Sequence, residues 1–217
     1  MWALIEDGSI TKTINNPRGM IIDDIQYSRK IFELWSKSEL EAKGIYEIVF
    51  DDSNKKDEEY YTNTDQSFNF ADGVATASYG SATPKLLEDR NEVWTQDQID
   101  VGSAPAGTSA GDPMNDSNGN QIITRGLKYI KIETVKAQAA GILRDTDWYI
   151  VRKADAGTAI PSAITTHRAA VRTKCAAMET AITNASDTPA IETLYTYTTD
   201  GDGGQSRPLG ELPTLES

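Results

Sequence analysis

The chain alternates hydrophobic and polar residues along its first third and repeats hydrophobic residues at helical spacing nearer its C-terminus. The segment WALIED alternates and reaches Asp7-Gly8, a pair typical of tight turns, before the strand-like ITKTI. Asp72-Gly73 stands in the same way between SFNFA and VATASY. The pattern therefore predicts two β-hairpins within a β-rich N-terminal domain, residues 1–90.

A capping box marks a short helix in this domain. Ser36 and Glu39 have the spacing at which each side chain bonds the backbone N–H of the other, and Gly44 suits the end of the helix. The strand-like IYEIVF follows, and alternate residues of a strand point to the same face. One of its faces is fully apolar and is predicted to be the core face: Tyr46, Ile48 and Phe50.

Two later stretches lack this periodicity. Residues 91–126 include GSAPAGTSAGDPMNDSNGN, which is rich in Gly, Ser, Ala, Pro and Asn, and they are predicted to form a linker or a long loop. Residues 187–217 are acidic and rich in Thr, Gly and Pro, a composition that predicts an irregular tail.

Residues 127–186 are predicted to form a helical hairpin. Steps of three and four residues mark the first helix: Ile132, Val135, Ala139 and Ile142. A seven-residue repeat with intervening apolar positions marks the second, from about Pro161 to Asn184: Ile164, Val171, Cys175, Met178 and Ile182. Pro161 suits the first helical turn, and Gly157 suits the end of the preceding segment. The expected fold class is α+β: a β-rich N-terminal domain, a long loop and a C-terminal helical hairpin.

The net charge of −12 argues against binding to a phosphate backbone as the main role. The charge is uneven, because residues 127–187 hold 9 basic and 6 acidic residues while the rest hold 12 and 27. This asymmetry either steers partners together or reflects a solvated surface, and the second interpretation is favoured. No apolar run approaches the roughly 18 residues that a membrane-spanning helix needs, and the first ten residues do not have the pattern of a secretory signal.

The sequence offers no constellation for catalysis or for a cofactor. A single histidine, His167, and a single cysteine, Cys175, exclude a multi-His metal site and an internal disulfide. They stand eight positions apart on one predicted helix, about 12 Å, which is too far for a catalytic pair. The segment DPMNDSNGNQ lacks acidic residues at the end positions of a calcium loop. Neither enzymatic activity nor a cofactor is expected.

One stretch, residues 142–172, carries a denser pattern, with Asp155 at a position where Glu is usual. Its matching residues are Leu143, Arg144, Thr146, Asp147, Trp148, Arg152, Gly157, Pro161, Arg168 and Arg172. This pattern resembles that of tailed-bacteriophage proteins of the tail-fibre-assembly kind, which often carry a C-terminal helical module. The opening WALIEDG and the segment containing GIYEI are similar in style to the N-terminal parts of those proteins.

The resemblance implies a non-enzymatic structural protein of the bacteriophage virion, in the tail, baseplate or fibre-attachment region, that acts through protein–protein contacts. The alternative is a tail-fibre assembly chaperone that binds the fibre transiently. The implied partners are other phage tail proteins, with further copies of the chain in a homo-oligomer, and neither nucleic acid nor a membrane. The implied location is the virion, after synthesis in the host cytoplasm.

Within this pattern a structural hinge is expected rather than a ligand site. Trp148 is predicted to be buried between the two helices, beside Ile150 or Val151, because large aromatic side chains usually close such junctions. Ion pairs among Arg144, Asp147 and Arg168 are expected to fix the register of the helices. The residues assigned to the hinge and to helix packing are Arg144, Asp147, Trp148, Arg152, Pro161, Arg168, Val171 and Cys175.

Overall fold

The computed structural model describes residues 1–215, and the chain divides into two compact units, Met1–Thr83 and Pro84–Ser217. The first unit contains β1 (Trp2–Glu6), β2 (Ser9–Ile14), β3 (Met20–Ile22), β4 (Ile25–Tyr27), α1 (Ile31–Leu34), α2 (Lys37–Glu41), β5 (Ile45–Asp51), β6 (Tyr61–Thr62), β7 (Gln66–Ala71) and β8 (Val74–Tyr79). The strand β9 (Thr83–Pro84) stands at the division. The second unit contains β10 (Arg90–Asn91), α3 (Gln96–Asp100), β11 (Ile123–Thr124), α4 (Leu127–Arg144), α5 (Asp147–Ala156), α6 (Ser162–Asn184), α7 (Thr188–Tyr195), β12 (Thr198–Thr199) and β13 (Gln205–Ser206). The fold is therefore α+β, as predicted.

A five-stranded sheet with the order β2-β1-β5-β8-β7 organises the first unit. Neighbouring strands are antiparallel except β5 and β8, which run parallel, and the two outermost strands, β2 and β7, approach each other. Both predicted hairpins are confirmed. Their turns place Asp7 and Asp72 at φ 50° and 52°, each followed by a glycine with positive φ, as two-residue hairpin turns require.

Both faces of the sheet bury residues of β5, so the prediction that β5 has one core face is wrong. Ile48 is buried on the predicted face, but Phe50 on that face is exposed, and Ile45 on the opposite face is fully buried. One cluster contains Leu4, Ile22, Ile31, Leu40 and Ile45, and the other contains Ala3, Ile48, Ala75 and Ala77. The short helices and the β3–β4 hairpin supply the first cluster and therefore cover the face that the alternation assigned to solvent.

The capping box at α2 is confirmed. The Ser36 hydroxyl accepts a hydrogen bond from the Glu39 N–H, and the Glu39 carboxylate accepts one from the Ser36 N–H at 2.7 Å. The Ser36 hydroxyl and the Ser36 N–H, in that order, hold the pKa of the Glu39 carboxyl below its ordinary value. Gly44 follows the helix at φ +73°, where a Cβ atom would lie 2.5 Å from the Ile5 carbonyl oxygen.

The helices α4 and α6 of the second unit pack along most of their length. Val135 and Ala139 of the predicted α4 stripe are buried, and every member of the predicted α6 seam is buried. The start of α4 has a remote cap: the Asp89 carboxylate accepts a hydrogen bond from the Gly126 N–H at 2.9 Å and pairs with Arg125. The Gly126 N–H first and Arg125 second lower the pKa of the Asp89 carboxyl.

Three boundaries differ from the sequence-based prediction. The first unit ends at residue 83 rather than 90. Residues 91–126 belong to the second unit and contain α3 and β11. Backbone pairing of β10 with β11 and of Val93 with Pro113 holds this long loop in a defined conformation. The predicted irregular tail begins with helix α7, whose N-terminus is capped by the Asp187 carboxylate. The last two residues of that predicted tail lie outside the described residues.

Candidate functional site

Arg168 of α6 connects α6 to the junction between α4 and α5. Its residue surface is 7% exposed, and its Nη1 donates to the Leu143 carbonyl oxygen at 2.6 Å and to the Thr146 hydroxyl at 2.7 Å. Its Nη2 lies 2.8 Å from an Asp147 carboxylate oxygen. Charge-assisted hydrogen bonds from a planar guanidinium fix both distance and direction. The register between α6 and the junction is thus set by one buried cation.

Asp147 and Arg168, two of the predicted ion-pair residues, are brought together, whereas Arg144 lies apart from them. Arg144 is exposed and, among the described residues, has no ion pair. It borders a groove of about 530 Å³ together with Asp145 and residues of the C-terminal segment, Arg207, Glu211 and Leu212.

Trp148 is 51% exposed, so the prediction that it closes the space between the helices is wrong. Ile150 and Val151 beside it are exposed as well. The Trp148 ring stacks on Tyr149 with centroids 3.9 Å apart, and the Arg152 guanidinium lies 4.6 Å from the Trp148 ring centroid. The junction is closed by Arg168 and Thr146 instead, both of which are buried.

The segment around Trp148 is a helix in its own right, and none of its residues is buried. Gly157 ends α5 in the left-handed conformation at φ 68°, and Pro161 immediately precedes α6 as its N-cap residue rather than lying in its first turn. The α5 surface therefore presents apolar side chains outward: Trp148, Ile150 and Val151. Trp148 and Val151 are three residues apart and share one face of the helix, and we call this pair the α5 patch.

Val171 and Cys175 lie in the buried seam of α6, as their spacing predicts. The Cys175 thiol is 3.3 Å from a Glu179 carboxylate oxygen. Burial first, and the hydrogen bond to Glu179 second, raise the pKa of the Cys175 thiol, which keeps it protonated at neutral pH. His167 is buried two helical turns earlier on α6. This arrangement suits packing and not nucleophilic chemistry.

Arg207 and Glu211 form a polar cluster that the sequence interpretation missed, because it treated their segment as an irregular tail. The Arg207 Nε lies 2.7 Å from Glu211, and the Tyr197 hydroxyl donates to the Glu211 carboxylate at 2.6 Å. The Tyr197 hydroxyl is the largest cause of the lowered pKa of the Glu211 carboxyl. The sequence carries no spacing signal for this contact, because residues 207–211 form a turn and not a helix.

A scan against protein families, a search of curated proteins and a search of solved structures each gave no match to the chain. Across residues 1–215, no group of three or more His, Cys, Asp or Glu side chains is arranged to hold a metal ion. The helices of that part of the chain are too short or too polar to cross a membrane. Among the exposed apolar side chains of the described residues, the α5 patch beside the Arg168 junction is the candidate site, since it includes a tryptophan.

Proposed function

We propose that the chain is a non-enzymatic structural protein of a tailed-bacteriophage virion, located in the tail, baseplate or fibre-attachment region. In this role it contacts other tail proteins and further copies of itself. The sequence pattern at residues 142–172 supports the phage assignment, since it resembles that of tail-fibre-assembly proteins. Contact with other proteins is supported by a different observation, the exposure of the α5 patch.

The α5 patch is the observation that carries the proposal. An isolated helix of ten residues is marginal in water, and most helices gain stability by burying one apolar face. Helix α5 buries none of its residues, while Val151 is 65% exposed and Trp148 lies beside it on the helix surface. Trp side chains are enriched at the energetic centres of protein interfaces. The patch is therefore suited to be covered by another protein.

Charged residues of both signs flank the patch and set the character of its edge. Arg152 covers the Trp148 ring, and Lys153 follows it on the exposed side of α5. Asp155 is exposed near the end of the same helix. A partner surface that is apolar at its centre and carries polar groups of both signs at its edge complements this arrangement.

Mass spectrometry of purified particles tests the location. The structural role requires the chain to be present in particles in a fixed ratio to known tail proteins. Presence in infected-cell lysate with absence from particles overturns the structural role and favours the transient chaperone. Absence of any effect on tail assembly when the gene is deleted overturns both.

A pair of matched variants tests the contact. Val151→Asp places a charge in the α5 patch, whereas Val101→Asp places the same charge at a position of the same unit that is 75% exposed. Val151→Asp is expected to lower incorporation into particles at least about tenfold, which corresponds to roughly 1.4 kcal/mol of binding free energy. Val101→Asp is expected to be incorporated normally. Equal incorporation of both variants contradicts an interface at α5.

A further inference from the structure

The break between α4 and α5 occurs without a helix-breaking residue. The two intervening residues are Asp145 and Thr146, neither glycine nor proline. Asp145 has helical dihedrals, φ −61° and ψ −20°, and only Thr146 departs from the helical region, with φ −113° and ψ 5°. Helix breaks usually have an identifiable cause such as proline, glycine or an inserted polar group. Here the inserted group is Arg168.

The Leu143 carbonyl oxygen shows how the break is held. In a continuous helix this oxygen accepts the N–H of Asp147, four residues later. In the structure it accepts instead from the Arg168 guanidinium at 2.6 Å, the Thr146 hydroxyl at 2.9 Å and the Thr146 N–H at 3.1 Å. The same guanidinium holds the first residue of α5 through its ion pair with Asp147. Arg168 thus replaces the helical hydrogen bond and fixes the start of α5.

We propose that Arg168 is a latch between α4 and α5, and that its release joins residues 127–156 into one continuous helix. Between α4 and α5 the change requires a new conformation at Thr146 alone, and it restores the helical acceptors of the Asp147 and Trp148 N–H groups. In the latched state the hydrogen-bonding capacity of Arg168 is only partly used, because its buried Nε has no hydrogen-bond partner within residues 1–215. With no α5 residue buried, little packing opposes the movement.

The segment between α5 and α6, residues 157–161, is long enough to allow α4 and α5 to form one continuous helix. A continuous helix carries Ala156 about 20 Å beyond Leu143, while Ser162 lies about 9 Å beyond Arg168 along α6. With helices about 9 Å apart, the gap from Ala156 to Ser162 is about 14 Å. Six residues of extended chain span about 20 Å. The movement therefore leaves α4 and α6 packed and displaces the α5 patch, whatever protein that patch contacts.

Spin labels on the full-length chain measure the change. Labels at Thr134→Cys and Asp155→Cys occupy exposed positions of α4 and α5, in a Cys175→Ser background. A continuous helix separates these positions by about 32 Å, and any angle between α4 and α5 brings them closer. Arg168→Leu is expected to raise the ratio of the 32 Å population to the shorter one at least about tenfold. The matched control is Arg172→Leu, one turn later on α6 and exposed. This variant is expected to keep the shorter distance measured in the labelled chain that retains both arginines.

A second variant and a second measurement test the proposal even if Arg168→Leu fails to fold. Thr146→Val combined with Asp147→Ala removes the two side-chain partners of Arg168 and leaves the α6 seam intact. Hydrogen exchange at the amides of residues 147 and 148 is expected to slow by at least about tenfold as they gain helical acceptors. An unchanged distance in both variants overturns the proposal. Faster exchange throughout α5 also overturns it, since α5 then unfolds rather than joins α4.

Discussion

The Lys174 ammonium donates a 2.8 Å hydrogen bond to the main-chain carbonyl oxygen of Leu209, 35 positions further along the chain. Leu209 is 2% exposed, and its N–H donates to the Leu194 carbonyl oxygen of α7 at 3.0 Å. Gly210 follows with φ +71°, at a point where a Cβ atom would lie 2.4 Å from the Lys174 ammonium nitrogen. The segment after α7 is thus fastened to both α6 and α7, and its leucine is part of the core.

The first prediction concerns this fastening. Leu209→Ala is expected to lower the free energy of unfolding by about 2 to 5 kcal/mol, the range for removing a fully buried leucine side chain. Leu215→Ala, at an exposed position of the same segment, is expected to change it by less than about 0.5 kcal/mol. Urea unfolding followed by circular dichroism measures both. Equal stability of the two variants contradicts a structural role for Leu209.

The second prediction separates stability from binding at Trp148. Because half of its surface is exposed, Trp148→Ala is expected to lower the free energy of unfolding by about 1 kcal/mol or less. Incorporation into particles is expected to fall at least about tenfold, as for an aromatic residue at the centre of an interface. Thermal unfolding and quantification of particles measure the two effects. A loss of several kcal/mol shows instead that Trp148 belongs to the core.

The third prediction is a pH dependence at the start of α4. The folded-state pKa of Asp89 lies below the ordinary value of about 3.9, so its charge stabilises the fold above that pH. This contribution is lost as the pH falls through the lowered pKa and the carboxyl becomes protonated. Asp89→Asn is therefore expected to be less stable than the unmodified chain at pH 7 and equally stable once the pH is well below 3.9. A stability difference that does not change between these pH values contradicts the assignment.

The fourth prediction compares two glycines with the same backbone angle. Gly44 and Gly8 both have φ +73°, but a Cβ atom at Gly44 meets the Ile5 carbonyl oxygen, whereas one at Gly8 meets no atom within 4 Å. Gly8→Ala is expected to cost about 1 to 2 kcal/mol, the penalty of the left-handed conformation alone. Gly44→Ala carries the same penalty and must also displace the β1 backbone, so its loss is expected to be larger. The difference between the urea midpoints of the two variants measures the cost of the contact between residue 44 and the Ile5 carbonyl oxygen. Equal losses of stability in both variants show that the β1 backbone moves aside at no cost.

Much of the fold follows from local sequence. The turns at Asp7-Gly8 and Asp72-Gly73, the Ser36–Glu39 capping box and the α6 seam each depend on residues near one another in the chain. Such features are set by backbone sterics and by the periods of helix and strand. They can be predicted from the sequence without knowing which distant segments pack together.

The candidate site was predicted less well, because its arrangement depends on a long-range polar contact. Hydrophobic spacing favours burying the largest side chain, Trp148, but the Arg168 guanidinium reaches the Leu143 carbonyl oxygen and fixes the junction with Trp148 outside. A main-chain acceptor has no signature in the sequence. The missed helix α7 did have one, since Asp187 is a capping residue and Pro189 suits a first helical turn.

The approach of β2 to β7 limits how the first unit can be recognised by other chains. β2 and β7 are the edge strands of the sheet, and their approach restricts the space in which another polypeptide can pair with either edge. The approach of the two edges therefore disfavours growth of the sheet by edge-to-edge joining of copies of this unit.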